Sequence, residues 1–194
     1  MGVPFRNPNP MTVEEFFSFT DTRPDEEKWE LIDGEPTLHA SAGWLHQRIL
    51  GNLAFLFGDL ERRKSRSWQA IPGIGVRVSK TSLPQPDFLI RPKGAPKGDA
   101  FGRECDDIIV AFEILSPSTQ DRDLRWKRTA YTDLPSLTHY VVIAQDVVEI
   151  VIFERQSGFA EHRLDRLDAS LELPSLGISL PLAEIYRSTG LENP

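Results

Sequence analysis

The sequence predicts an α/β fold with a central sheet and two long helices packed on it. Three observations predict it. Helix-like and strand-like segments come in mixed order, as hairpin, long helix, several strands, helix, strands, the pattern of layered sheet-and-helix architectures. Two segments repeat apolar residues at the helical period. Several others alternate, or run apolar for about four to eight residues between turn signals. At 194 residues the chain suits one domain that buries about 70% of its unfolded surface.

The elements follow in order. "MGVPFRNPNP" has no apolar core and predicts a flexible arm over residues 1–10 instead of a signal peptide. The single domain is then residues 11–194. "MTVEEFFSFTD" opens it as a short helix, with Thr12 as N-cap and Glu15 three residues on. "KWELIDGEPTLH" reads as two strands around an Asp33-Gly34 turn. From about Trp44 to Lys64 the stripe Ile49, Leu50, Leu53, Phe57, Leu60 predicts the best helix. "GIGVRVS" alternates as a strand should, and "PQPDFLIRP" is a second strand whose prolines suggest an edge or a strand start. The Gly/Pro/Lys-rich "RPKGAPKGDAFG" predicts a loop.

A strand over about Ile108–Leu115 comes next, then a helix capped by Ser118 or Thr119 and ended near Asp133 by Pro135. "HYVVIA" and "VVEIVIFER" predict two more strands, Glu161–Leu173 a weaker strand pair, and "PLAEIY" a last short helix. No repeat or low-complexity segment appears.

Composition narrows the function classes. The chain is 40% hydrophobic and 26% charged, as in ordinary globular proteins. One cysteine, Cys105, allows no internal disulfide and no cysteine-rich zinc site. No apolar run approaches the roughly 20 residues that span a bilayer, so the expected location is the cytoplasm, away from membranes. A net charge of −7 argues against a general nucleic-acid coat protein. It leaves open an enzyme whose acidic site contributes to that charge. "ERRKSR" (Glu61–Arg66) is a local basic strip, read first as a solvated helix end and second as a docking strip.

Three residues break the burial pattern. Glu113 lies inside "VAFEIL", where an uncompensated carboxylate is costly. Asp87 directly precedes Phe88, Leu89 and Ile90. Lys127 falls on the apolar stripe of Leu124, Tyr131 and Leu134, which points a lysine at the sheet. Each has a plain structural reading: a turn acid, a snorkelling lysine, a buried Glu113–Lys127 ion pair. Together, two carboxylates from neighbouring strands and one ammonium also meet the needs of metal-assisted phosphodiester hydrolysis. Mg²⁺ takes hard oxygen ligands, and a lysine stabilises charge developing on the phosphate.

"QPDFLI", "FEILSPST" and a following helix with lysine resemble the PD-(D/E)XK nuclease superfamily, the restriction-endonuclease-like fold. More narrowly, "MTVEEFF", "WELIDGE", "HQRI", "QPDFLI", "FEILSPST", "KRTAY" and "HYVVIA", in that order from Met11 to Tyr186, resemble the Uma-type family of restriction-endonuclease-like proteins. The resemblance implies a mixed four- or five-stranded central sheet flanked by helices, dependence on Mg²⁺ or Mn²⁺, a nucleic-acid substrate (DNA first) and frequent homodimers. It carries the metal-binding acids onto Asp87 and Glu113. Where the superfamily has lysine two residues after the second acid, this chain has Leu115. The Uma-type pattern places that lysine in the next helix, at Lys127.

His46, at the head of the long helix's stripe, reads either as a satisfied core histidine or as a hydrogen-bond partner near the site. Glu35, after the Asp33-Gly34 turn, is a candidate third acid, with Glu30 of the same hairpin as its alternative. Gln85 has a weaker claim. The sequence holds no P-loop, dinucleotide fingerprint, serine-hydrolase elbow or H-E-x-x-H spacing. Two rival readings stand beside a nuclease: a hydrolase of small phosphodiesters or nucleotides, and an inactive interaction module that keeps the fold.

Overall fold

In the computed structural model, residues 9–39, 41–63, 65–94, 102–115 and 122–192 are described, the side chains of 122–124 excepted. Residues 1–8 of the expected arm over 1–10, the caps Ser118 and Thr119, Lys64, most of the Gly/Pro/Lys-rich loop and the Leu124 side chain lie outside them.

Helix α1 (Val13–Thr20) starts as its sequence requires: Glu15 N donates to Thr12 Oγ1, and Thr12 N donates back to the Glu15 carboxylate at 2.8 Å. Strands β1 (Lys28–Ile32) and β2 (Glu35–His39) form the expected hairpin, Ile32 opposite Glu35. Its turn needs positive φ at both central residues, which Asp33 (49°) and Gly34 (82°) supply. This hairpin is a separate two-stranded sheet, held to α1 by Val13, Phe16, Leu31 and Leu83.

Helix α2 (Trp44–Arg63) follows, then β3 (Trp68–Pro72), β4 (Gly75–Val76), β5 (Phe88–Pro92), β6 (Glu104–Cys105) and β7 (Val110–Leu115). Helix α3 (Arg122–Thr132), β8 (His139–Ala144), β9 (Ile150–Glu154) and β10 (Glu161–Leu164) complete the sheet; β11 (Ser170–Leu173), β12 (Ile178–Pro181) and the short α4 (Leu182–Ile185) close the described chain. The central sheet has six strands in the order β10-β9-β8-β7-β5-β3. It is mixed: β7 and β8, joined through α3, are parallel, and the other neighbours are antiparallel.

Strand alternation sorts the core into two layers. On one face Phe88, Ile90, Phe112, Val141 and Ile152 pack under Ile49, Leu53 and Phe57 of α2 and under the β11–β12 hairpin with α4. On the other, Leu89, Ala111, Val142 and Val151 pack under Tyr131 of α3 and Leu134 just beyond its end. Phe57 is the hub of the first layer, with ring centroids 5.8, 5.4 and 5.6 Å from those of Trp68, Phe88 and Phe112. Among the described residues no helix is long and apolar enough to cross a membrane.

Several expectations need correction. "GIGVRVS" yields only the two-residue β4, paired with β6 outside the central sheet. The strand beside β5 is instead β3, whose "WQAIP" lacks clean alternation. The prolines of "PQPDFLIRP" mark a strand start and not an edge, since β5 lies between β3 and β7. The late strands β10 and β11 do not pair with each other: β10 adds to β9, and β11 pairs with β12. In the basic strip, Arg63 pairs with Asp59 at 2.6 Å on the exposed end of α2, as a solvated helix end would.

Candidate active site

Antiparallel register brings the two motif acids together. Phe88 of β5 stands opposite Phe112 of β7, so one step beyond the paired residues Asp87 stands opposite Glu113. Both belong to the face on which α3 packs, because alternation puts them in phase with Leu89 and Ala111. Opposed side chains on one face have Cβ atoms about 5 Å apart.

Asp87 is buried but richly held. Its Oδ2 accepts from the Ile114 amide at 2.8 Å and lies 3.1 Å from His46 Nε2; its Oδ1 lies 3.2 Å from Lys28 Nζ. Burial alone would raise its pKa, but His46, Lys28 and the Ile114 amide together hold it well below the usual carboxylate range.

Glu113 finds its partners on α3. Lys127 Nζ lies 3.1 Å from Glu113 Oε1, and Tyr131, one turn later, donates its hydroxyl to the same oxygen at 3.3 Å. Lys127 is only 6% exposed. The helical period thus aims a lysine and a tyrosine at one carboxylate.

The ammonium is shared. Glu30 of β1, fully buried, places Oε1 2.9 Å from Lys127 Nζ, and that oxygen also accepts from the Gln85 amide at 2.8 Å. Its Oε2 lies 2.7 Å from His39 Nε2, an ion-pair contact without good hydrogen-bond alignment. Burial opposes ionisation of Glu30, but the Lys127 charge and His39 outweigh it and hold the carboxyl at about 2. One ammonium cannot neutralise two buried carboxylates. For Glu113, burial, reinforced by Asp87 and Glu30, outweighs Lys127 and pushes the carboxyl up to about 8.

The arrangement fits a divalent cation. Two carboxylates from adjacent strands offer hard oxygen donors, and Glu113 is a buried acid whose ionised form lacks enough positive charge nearby. Among the described residues no three His, Cys, Asp or Glu side chains converge as a complete ligand set. Asp87, Glu113 and Lys127 open on a cleft of about 630 Å³ that His46, His39, Lys28 and Gln85 also line.

Of the residues singled out from the sequence, Asp87, Glu113, Lys127 and His46 meet here, and Glu35 does not. Glu35 is exposed beside the hairpin turn, about 7 Å along β2 from Thr37, the cross-strand partner of Glu30. Glu30, its alternative, is the hairpin acid that reaches the cluster. Lys28 and His39 were missed. Lys28 shares a β1 face with Glu30 by alternation, and His39 is the cross-strand partner of Lys28, so the hairpin register was the signal that could have found them. Gln85 contributes its backbone amide to Glu30, and its side chain donates to the Gly73 carbonyl.

Comparison with known proteins agrees with this geometry at the level of family and fold. Residues 13–183 match the model of the Uma2 family, described as "Putative restriction endonuclease". The uncharacterized protein slr1290 of Synechocystis sp. is 25% identical over 185 residues, covering 91% of this chain and 92% of that one. The crystal structure of "a putative nuclease belonging to DUF820" from Anabaena variabilis superposes with a TM-score of 0.71 at 17% identity, covering 91% of this chain and 98% of the other. That likeness establishes the fold.

Proposed function

The chain belongs to the Uma2 family, and from that premise we propose that it is a metal-dependent endonuclease hydrolysing phosphodiester bonds of nucleic acid, with DNA as the first substrate. The observation that carries this reading is the meeting of Asp87, Glu113 and Lys127 at one cleft, two acids from adjacent strands and an ammonium from the helix that follows them.

Asp87 and Glu113 are the residues that would hold Mg²⁺ or Mn²⁺. When bound, the cation supplies Lewis-acid polarisation of the phosphodiester and eases deprotonation of water. Lys127 contributes a fixed positive charge, kept on its nitrogen by Glu113 and Glu30 although burial opposes it, where negative charge develops on the phosphate. His46 and Lys28 orient the Asp87 carboxylate, and Tyr131 orients that of Glu113. Because Lys127 is an electrostatic group, its ammonium position matters and its backbone origin does not. Leu115 at the superfamily's lysine position is compatible with activity on that ground.

A polymeric substrate is favoured over a small diester by Trp44, which is 67% exposed at the start of α2 beside the cleft residues Gly43 and His46. Exposed aromatic rings beside a phosphate site suit base stacking. The interaction-module reading draws support from the Glu113–Lys127 contact, which a simple buried pair would also make. It gives no reason for Asp87 and Glu30 to crowd the same place.

The test is nicking of supercoiled plasmid with Mn²⁺, beside hydrolysis of a small chromogenic phosphodiester, using Lys127→Met as control. Plasmid nicking that the control lacks supports the nuclease. Turnover of the small diester alone transfers the site to the rival enzyme class, and Mn²⁺ binding without either activity leaves the interaction module.

A further inference from the structure

Glu30 is the most deeply buried acid of the cluster, yet it comes from the hairpin, outside the sheet that bears Asp87 and Glu113. Three contacts fix it: the Lys127 ammonium at 2.9 Å, the Gln85 amide at 2.8 Å and His39 Nε2 at 2.7 Å. The hairpin is tied to α3 a second time, one residue before the lysine, where Trp126 Nε1 donates to Asp33 Oδ2 at 2.9 Å. A buried acid held at Oε1 by an ammonium and an amide, and flanked by a second tie, is built to hold a position.

We infer that Glu30 is the positioning residue and standing counter-ion of Lys127, keeping the ammonium in place once a divalent cation draws the Glu113 carboxylate to itself. The inference rests on the metal-dependent reading above and deepens it. Without a cation, Lys127 Nζ lies 2.9 Å from Glu30 Oε1 and 3.1 Å from Glu113 Oε1. A dication held by Asp87 and Glu113 would leave Lys127 with Glu30 as its remaining carboxylate partner, beside a second positive charge.

Charge counting then gives Glu30 its role. Counting only the fully buried groups, three carboxylates would face one ammonium and a dication, while Lys28, 3.2 Å from Asp87 Oδ1, and the histidines add further positive charge at the edge of the cleft. Remove Glu30 and the buried set carries an uncompensated positive charge, which a low-dielectric site resists. Glu30 itself stays engaged through the Gln85 amide. It therefore need not bind the cation, and acts through Lys127.

A double-mutant cycle on the full chain, read by calorimetric Mn²⁺ titration, tests this. Glu30→Gln keeps size and removes charge, and should weaken Mn²⁺ binding about tenfold or more. Adding Lys127→Met removes the orphaned ammonium and should restore affinity to within about threefold of wild type. A double variant as weak as Glu30→Gln alone overturns the inference and makes Glu30 a ligand of the cation itself. Wild type that does not bind Mn²⁺ defeats the metal-dependent reading, and the inference with it.

Glu30→Asp provides a second measurement should the glutamine variant not fold. It keeps the charge but withdraws the carboxylate by one methylene. Mn²⁺ affinity should hold while kcat for plasmid nicking falls about tenfold or more with KM unchanged. An unchanged kcat would show that the ammonium does not depend on Glu30 for its position.

Discussion

Lys127 and Glu113 sit on different elements, yet their charged atoms lie 3.1 Å apart inside the protein. Helix α3 supplies the ammonium, and Leu115 occupies the strand position two residues after Glu113. The contact is compatible with catalysis and with simple structural pairing, and the two readings part on what removal of the lysine does.

If Lys127 is electrostatic machinery, Lys127→Met costs roughly 10²–10³ in kcat, the usual penalty for deleting one preorganised stabilising group. Mn²⁺ binding survives, because Asp87 and Glu113 remain. Single-turnover cleavage of a labelled duplex measures it, and a variant with wild-type kcat would remove Lys127 from the chemistry.

Divalent cations should raise the melting temperature of the wild-type chain progressively with concentration, since a ligand of the folded state stabilises by RT ln(1 + [L]/Kd). Asp87→Asn and Glu113→Gln should each abolish the rise. Scanning calorimetry with and without Mn²⁺ reads this directly. A rise retained in both variants would place the metal elsewhere.

The metal-free protein should lose stability as pH rises from about 5 to 8. Glu113 is the cause: burial first, then Asp87 and Glu30, raise its folded pKa to about 8. Within that window the folded chain holds a proton that the unfolded chain has released, so raising the pH favours unfolding. Glu30 and Asp87 have the opposite sign. Their lowered values give stability that is present at neutral pH and is lost on acidification below the usual carboxylate range. Urea titrations across the range should show the alkaline decline in wild type and its absence in Glu113→Gln; a wild-type curve that climbs toward pH 8 contradicts the assignment.

Glu35→Ala should change neither Mn²⁺ affinity nor stability by more than about 0.5 kcal/mol, the ordinary range for an exposed position. It is the control that separates the two hairpin acids. A tenfold loss of Mn²⁺ affinity would return Glu35 to the site.

Phe57→Ala should destabilise by about 3–5 kcal/mol, as large buried aromatics do. It opens a void among Trp68, Phe88 and Phe112. The last two rings flank the motif acids in sequence, so the same variant should also loosen Mn²⁺ binding. Urea denaturation and metal titration of one preparation check both effects.

Local patterns were sufficient for what depends on neighbours in sequence. The Thr12–Glu15 cap, the Asp33-Gly34 turn, the apolar face of α2 and the position of Lys127 on the buried side of α3 all follow from spacing over a few residues. Asp87, Glu113 and Lys127 stood out because each interrupts an apolar pattern, and a violated local rule is visible in one dimension.

What remained hidden depended on which strands adjoin. Nothing in "WQAIP" announces β3, and nothing in the alternation of "GIGVRVS" says that it stays outside the central sheet. The choice between Glu30 and Glu35 was likewise open, since both lie on the same face of the hairpin. Docking of the hairpin against α3 decided it, burying Glu30 on Lys127 and leaving Glu35 in solvent. The sequence by itself determined the helices, the hairpin and the charged residues set in apolar surroundings, because these follow from short-range geometry and burial cost. Only the tertiary structure decided that those charges meet, because electrostatic coupling depends on separation in space, and that separation is set by strand register and packing.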